Sequence, residues 1–200
     1  MISVLLSFLQ TRRSTAIADF KDGGPTSVEL ETILSAATRV PDHGKYAPWY
    51  LIVFSGDNRA AFGDIVARAW ATREPHATPE KLATEAARMT RAAVVIAVIS
   101  RPKPLKHPVW EQQLSAGALC YNLCLAANAL GYGSNWLTEW VAYDPIMRQE
   151  LHLHPEDAIA GFIYIGTADK VQAERVRPDL THIVTHWQPG CIPARGPDAP

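Results

Sequence analysis

Ala36-Ala-Thr-Arg-Val-Pro-Asp-His-Gly-Lys-Tyr-Ala-Pro-Trp49 joins a helical pattern to an apolar run, and its punctuation sets the fold around it. Val40 precedes a proline, which pushes it out of the α region, so the helix ahead of it must stop. Pro41-Asp42-His43-Gly44 reads as a turn. Pro48 stiffens the exit, and Trp49 opens the run Tyr50-Leu-Ile-Val-Phe54 of a buried strand. Arg39, His43 and Lys45 are thereby gathered on one helix-to-strand connection. Three potential cations beside a rigid apolar wall suit a flat, anionic ligand; a solvated basic loop would account for the same residues.

Upstream, Val4, Leu5, Phe8 and Leu9 form a helical stripe that ends in Thr11-Arg12-Arg13-Ser14-Thr15. Paired arginines beside two hydroxyls make a phosphate clamp, because guanidinium forks give charge-assisted bidentate bonds. They also serve as cations at a helix C-terminus, where they complement its dipole. Thr26-Ser-Val-Glu29 has capping-box spacing for the helix before the opening stretch.

Downstream, Phe62, Ile65, Val66, Ala69 and Trp70 mark an amphipathic helix. Thr78-Pro79 reads as an N-cap with proline at the first helical position. The helix it opens, to about Thr90, is charged enough to lie on the surface, as a solvated element or a lid. Ala92 to Ser100 is apolar throughout, as a central strand covered on both faces should be. Arg101 to Pro108 is a basic, proline-rich connection, either solvated or facing the phosphates of a nicotinamide nucleotide.

From Trp110 to Leu130 the apolar and small residues run almost all the way round, so this helix belongs inside the protein or between two copies of it. Cys120 and Cys124, one turn apart on it, read as packing. Gly131-Tyr-Gly133 stops the helix, Ser134 to Trp136 reads as a short strand, Asp144-Pro145 starts a helix, and Ile159 to Ile165 is the last clear strand. A strand end at Ser134-Asn-Trp-Leu-Thr138 offers unpaired amides to the edge of a heteroaromatic ring, or simply places Trp136 in the core.

The 200 residues suit a single domain over 1–200, with an extended arm over about 168–188 and a disordered tail over 189–200. A formal net charge of −1 argues against nucleic-acid binding, which needs a basic surface. No apolar run approaches the ~20 residues of a spanning helix. Three cysteines, an odd number in a chain of this size, suit a reduced, cytoplasmic setting. His182/His186 and His152/His154 lack a third ligand at usual spacing, so no metal is expected. No phosphate-binding glycine loop follows a strand, and no Gly-x-Ser-x-Gly elbow is present, so any nucleotide phosphate must be held by cationic side chains.

Arg39-Val-Pro-Asp-His43 followed by Ala47-Pro48-Trp49 resembles the ligand loop of the nitroreductase family of flavin enzymes, in its small, minimal-length branch. Arg12-Arg13-Ser14, Gly131-Tyr-Gly-Ser-Asn-Trp136-Leu-Thr138 and Gly161-Phe-Ile-Tyr-Ile-Gly166-Thr167 fall in the same order and spacing, so the resemblance runs from Leu5 to about Thr167. It implies an α+β fold, a mixed central sheet of four to five strands surrounded by helices. It implies FMN as cofactor and a homodimer with flavin sites at the interface. Arg12, Arg13 and Ser14 would meet the phosphate side; His43, Trp136, Leu137 and Thr138 would come from the same chain, and Arg39 from the partner.

The implied chemistry is ping-pong: NAD(P)H delivers hydride to flavin N5, and a small electron-poor acceptor such as a nitroaromatic or quinone then takes it up. No residue is expected to act as catalytic acid or base. A flavin-binding or sensory module with little turnover is the alternative. Ala16 and Ala47 stand where the wider family often has arginine and glutamine, leaving Lys45 a candidate for the ring's pyrimidine edge, and Arg175 and Arg177 candidates for a late phosphate contact.

Overall fold

The computed structural model describes residues 3–170 and 172–192. The helices are α1 (Val4–Thr11), α2 (Ser27–Ala37), α3 (Asn58–Arg73), α4 (Pro79–Ala86), α5 (Val109–Ala129), α6 (Pro145–Glu150) and α7 (Leu180–Ile183). The strands are β1 (Trp49–Ser55), β2 (Val94–Ser100), β3 (Gly133–Leu137) and β4 (Ala158–Gly166).

Local chemistry places most helix starts where the sequence put them. Thr26 and Glu29 form a reciprocal capping box on α2, with Thr26 N–H donating to Glu29 Oε2 at 2.8 Å. Thr78 caps α4 ahead of Pro79, and Asp144 caps α6 ahead of Pro145. In each case the cap side chain accepts an amide that the first turn leaves unpaired.

The strands form one sheet in the order β1-β2-β4-β3. The expected α+β class holds, but all three pairings are antiparallel, where a mixed sheet was expected. The unbroken apolar run of β2 reflects coverage on both faces, and such coverage does not require parallel neighbours. Alternate β2 residues divide the core. Val95, Ala97 and Ile99 pack with Phe62, Val66, Ala69 and Met147 beneath α3 and α6. Val94, Ile96 and Val98 pack with Ile33, Leu119 and Leu123 beneath α2 and α5.

The charged segment after Thr78 is neither a lid nor wholly solvated. α4 stops at Ala86 and continues as one 3-10 turn, Ala87–Thr90. Gly63 lets the Ala86 carbonyl come so close to α3 that a Cβ there would collide with it. Glu85 and Met89 are buried as a result.

α1 and α5 both keep apolar surface in contact with solvent. α1 has no buried residue, and Val4 and Leu5 are 89% and 67% exposed. On α5, Trp110, Leu114 and Tyr121 are exposed beside a buried row of Ala116, Leu119, Cys120 and Leu123. The two α5 thiols are buried and packed, and burial pushes both above the usual cysteine range. After β4 the chain returns along the N-terminal segment: Ala168 bridges Phe20, and Lys170 and Gln172 bond Asp19. The arm expected over 168–188 thus starts on a defined track. Of the tail expected at 189–200, residues 193–200 lie outside the described residues. Among the described residues, no helix is long and apolar enough to cross a membrane.

Candidate functional site

The sharp end of the site is the turn after α1. Arg12 leaves the helix with extended backbone, and Thr15 N–H then donates to the Ser134 carbonyl at 2.8 Å. Asn135 Nδ2 donates to the Thr15 carbonyl at 2.6 Å, fastening this segment to the edge of β3. Gly133 permits the approach, since a Cβ there would sit 2.6 Å from Thr15 Oγ1.

So held, Arg12, Arg13 and Ser14 line a cavity of about 310 Å³ together with Arg175 and Arg177 from the returning arm. Arg12 lies 5.7 Å over the Tyr121 ring of α5 and reaches Ser14 Oγ at 3.5 Å. Its Nε is buried without a hydrogen-bond partner, an unusual state for a charged donor. Four guanidinium groups around one cavity repel each other unless an anion sits among them. The only carboxylate bonded to this group among the described residues is that of Glu174, which accepts from Arg13 Nη1 at 3.1 Å and from Arg177 Nε at 3.2 Å. Arg175 and Arg177 are candidates from the sequence alone, whereas Glu174 is not. Its nearest signal was the alternation of charges in Glu174-Arg-Val-Arg177.

β3 carries the next group. The Trp136 indole N–H donates to the Ala160 carbonyl at 3.0 Å, and its ring crosses Gly161 of β4 and approaches Gly117 of α5. Gly117 and Tyr121 are one turn apart, so the Trp136 ring and the Arg12 guanidinium lie along one flank of α5. Leu137 is half-buried against the α3-side core, and Thr138 follows where the strand ends. Arg12, Arg13, Ser14 and Trp136 therefore share one flank of α5, while Leu137 and Thr138 continue the β3 edge, with Leu137 turned to the opposite face of the sheet.

Arg39 and His43 are not part of it. Their loop lies on another flank of α5: Asn122 Nδ2 donates to the Arg39 carbonyl at 3.1 Å, His43 Nδ1 meets Glu111 Oε2 at 2.6 Å, and Trp49 Nε1 donates to Ser115 Oγ at 3.0 Å. At 3.6 residues per turn, Glu111, Ser115 and Asn122 sit roughly 120° around the helix from Gly117 and Tyr121. Asp42 folds this loop by accepting from Tyr46 N–H at 3.0 Å and Ala47 N–H at 2.8 Å. Lys45 and Ala47 both take positive φ, 57° and 44°, a strained arrangement of the kind found in ligand loops. Arg39, His43 and Lys45 are all exposed.

His43, His107 and Glu111 bring their potential ligand atoms within 4.8 Å of one another. The two imidazoles are stacked, however, with centroids 3.4 Å apart and planes 26° from parallel. Their in-plane lone pairs cannot converge on one ion in that pose. A larger cavity, about 360 Å³, lies near Lys21, Arg59 and Arg91, but Arg59 is bonded to the Ala92 carbonyl and Arg91 to Glu139. Neither place competes with the arginine cavity as an anion site.

The sheet and its flanking helices make an α+β fold, and the nitroreductase family, a family of oxidoreductases, matches residues 9–167; the chain belongs to that family. A protein of Escherichia coli strain K12 named "Putative NAD(P)H nitroreductase YdjA" is 31% identical over 186 residues, 91% of this chain and 98% of that one. Among solved structures, a nitroreductase-like family protein from Bacillus cereus superposes with a TM-score of 0.79 at 22% identity, covering 94% of this chain and 98% of the other. A nitroreductase with bound FMN from Bacteroides fragilis gives 0.67 at 18% identity, covering 94% and 100%. At those identities the two structures establish the shared fold.

Proposed function

We propose that this chain is an FMN-dependent oxidoreductase that takes hydride from NAD(P)H and reduces nitroaromatics, quinones or similar electron-poor acceptors as a homodimer. The observation that carries this reading is the arginine cavity, with a buried, unpartnered Arg12 Nε at its wall. The residues fit a flavin mononucleotide. Arg12, Arg13, Arg175 and Arg177 would hold its phosphate with charge-assisted bonds, and Ser14 adds a hydroxyl. Trp136, on the same flank of α5, would lie against the ring, with Thr138 following at the strand end and Leu137 anchoring that edge from the other face of the sheet.

A bound FMN would supply the redox chemistry, accepting hydride at N5 from NAD(P)H and passing it to the acceptor after the spent nicotinamide leaves. The chain's own contribution is orientation and charge. Fixed cations near the ring's pyrimidine end stabilise the negative charge that reduction places there, and so raise the reduction potential. Arg39 and Lys45 are the available cations. Their loop faces away from Trp136 within one chain, so a partner must present it. His43 shares that loop, and we therefore assign it to the partner with Arg39, a revision of the sequence expectation.

The exposed apolar surface of α1 and the exposed strip Trp110, Leu114 and Tyr121 of α5 support such a partner, since contiguous apolar faces on a lone chain mark interaction sites. Close contact there would bring each chain's loop toward the other's arginine cavity.

The test is the visible spectrum of the purified protein after incubation with FMN, then reduction by NADPH and reoxidation by a nitroaromatic or quinone. The expected result is stoichiometric flavin and turnover. Arg12→Ala should weaken FMN binding on the order of 30-fold or more, the scale for removing one partner of a buried charged contact. A protein that binds no FMN, or an Arg12→Ala variant that keeps its yellow colour, overturns the reading. Binding without turnover would leave the flavin-binding module.

A further inference from the structure

Glu139 follows Thr138, at the end of the edge where the ring is proposed to lie, and its backbone is strained. Its φ of 51° and ψ of −171° fall in a region that glycine alone occupies without cost. Such a conformation persists only where surrounding contacts over-determine it. Here two arginines do so. Arg88 Nη1 donates to Glu139 Oε1 at 2.5 Å, and Arg91 Nη1 to Glu139 Oε2 at 2.9 Å, so each carboxylate oxygen has its own guanidinium.

The arginines are themselves fixed. Arg88 is bonded through Nε and Nη2 to both oxygens of the fully buried Glu85. Glu85 also accepts from Lys81 Nζ at 2.8 Å and from the Trp140 indole N–H at 2.9 Å. The backbone on both sides of Glu139 is thus tied to the rigid α4–3-10 unit, by the Glu139 carboxylate and by the Trp140 ring. Thr138 gains a further bond, its carbonyl accepting from Ala142 N–H at 3.3 Å.

Stability alone does not account for this arrangement. Glycine at 139 would remove the backbone strain, and apolar side chains can replace half-buried ion pairs with little loss. What the charged network adds is a fixed location for one short segment. We propose that Glu139 is a positioning residue, whose pairing with Arg88 and Arg91 holds the Leu137–Thr138 edge in register with the flavin ring. The proposal rests on the flavin reading above, but part of its test does not.

Glu139→Gly removes both bonds of the tie and Arg91→Met one of the two, and neither touches the arginine cavity. Hydrogen exchange of the peptide spanning 136–140, measured without flavin, is expected to speed up at least tenfold in both variants. With FMN added, affinity should stay within about threefold of the wild type, because the phosphate contacts remain. The absorbance bands of bound flavin should move toward those of free flavin, and its reduction by NADPH should slow at least tenfold. Unchanged exchange in both variants overturns the proposal. So does faster exchange with an unaltered flavin spectrum and reduction rate, which would make Glu139 purely structural. If the wild type binds no FMN, the flavin reading falls separately, and the exchange comparison alone decides whether Glu139 holds the edge.

Discussion

Glu174 Oε1 lies 3.1 Å from Arg13 Nη1, engaging a guanidinium that lines the cavity where an incoming phosphate would need it. The backbone N–H of Arg175, with Arg13 and Arg177, holds the Glu174 carboxyl below its ordinary range, so it is an anion whenever the protein meets its ligands at neutral pH. A carboxylate and a phosphate cannot share the position without repulsion. Glu174→Gln keeps the size and removes the competing charge. FMN affinity measured by quenching of flavin fluorescence should rise about two- to fivefold, the scale of a partly exposed ion pair. Weaker binding in Glu174→Gln would mean that the carboxylate organises the arginines rather than competes for them.

Glu85 makes stability depend on acidity. Burial alone would raise its carboxyl, but hydrogen bonds from Arg88, Lys81 and Trp140 outweigh that and push it from 4.5 down to about 2. A depressed carboxyl stabilises the fold fully above its unfolded value, and the contribution is lost as pH falls through the folded value. The loss therefore falls between about pH 4.5 and 2, with a slope of up to about 1.4 kcal/mol per pH unit. Glu85→Gln should flatten denaturation midpoints across that window. At pH 7 the variant should be less stable by about 3–5 kcal/mol, since Arg88 and Lys81 lose a buried partner. An acid profile identical to the wild type would assign the acid sensitivity to other groups.

The parts legible in the sequence are those whose physics is local. Thr26 with Glu29, Thr78 with Pro79, and Asp144 with Pro145 each announce a helix start within four residues, and each stands in the structure. The apolar runs at Tyr50–Phe54 and Ala92–Ser100 gave the strands but not their direction, because period and composition carry no pairing partner. Glu139 and Glu174 were passed over for a related reason. Arg88 lies 51 residues from Glu139 and Arg13 lies 161 from Glu174, and no local pattern joins either pair. The site residues were found by resemblance, and their division between two flanks of α5 required the helix itself.

That division makes the apolar strip on α5 testable. Leu114 lies on it between Trp110 and Tyr121 and is 53% exposed in the single chain. If the strip is the dimer face, Leu114→Arg places two unpaired charges close to a two-fold axis, which costs several kcal/mol on desolvation. Sedimentation should then report monomers at micromolar concentration, and FMN affinity should fall at least tenfold as the loop bearing Arg39 and His43 is lost. A dimeric Leu114→Arg variant with normal flavin binding would move the interface elsewhere.

Gly161 sits in β4 opposite Val98, next to the one irregular step in the β2–β4 register, with the Trp136 indole lying across it. A methyl group at 161 would collide with the indole nitrogen and its neighbouring carbon, both rigid parts of the ring. The indole must then lift, which breaks its bond to the Ala160 carbonyl. Gly161→Ala should cost about 1–3 kcal/mol, as overpacking usually does. Because the displaced ring flanks the proposed flavin position, the bound-flavin spectrum should change in the same variant while the arginine cavity stays intact. Full stability in Gly161→Ala, read by thermal unfolding, would mean that Trp136 is not anchored across β4 and cannot serve as a fixed wall for the ring.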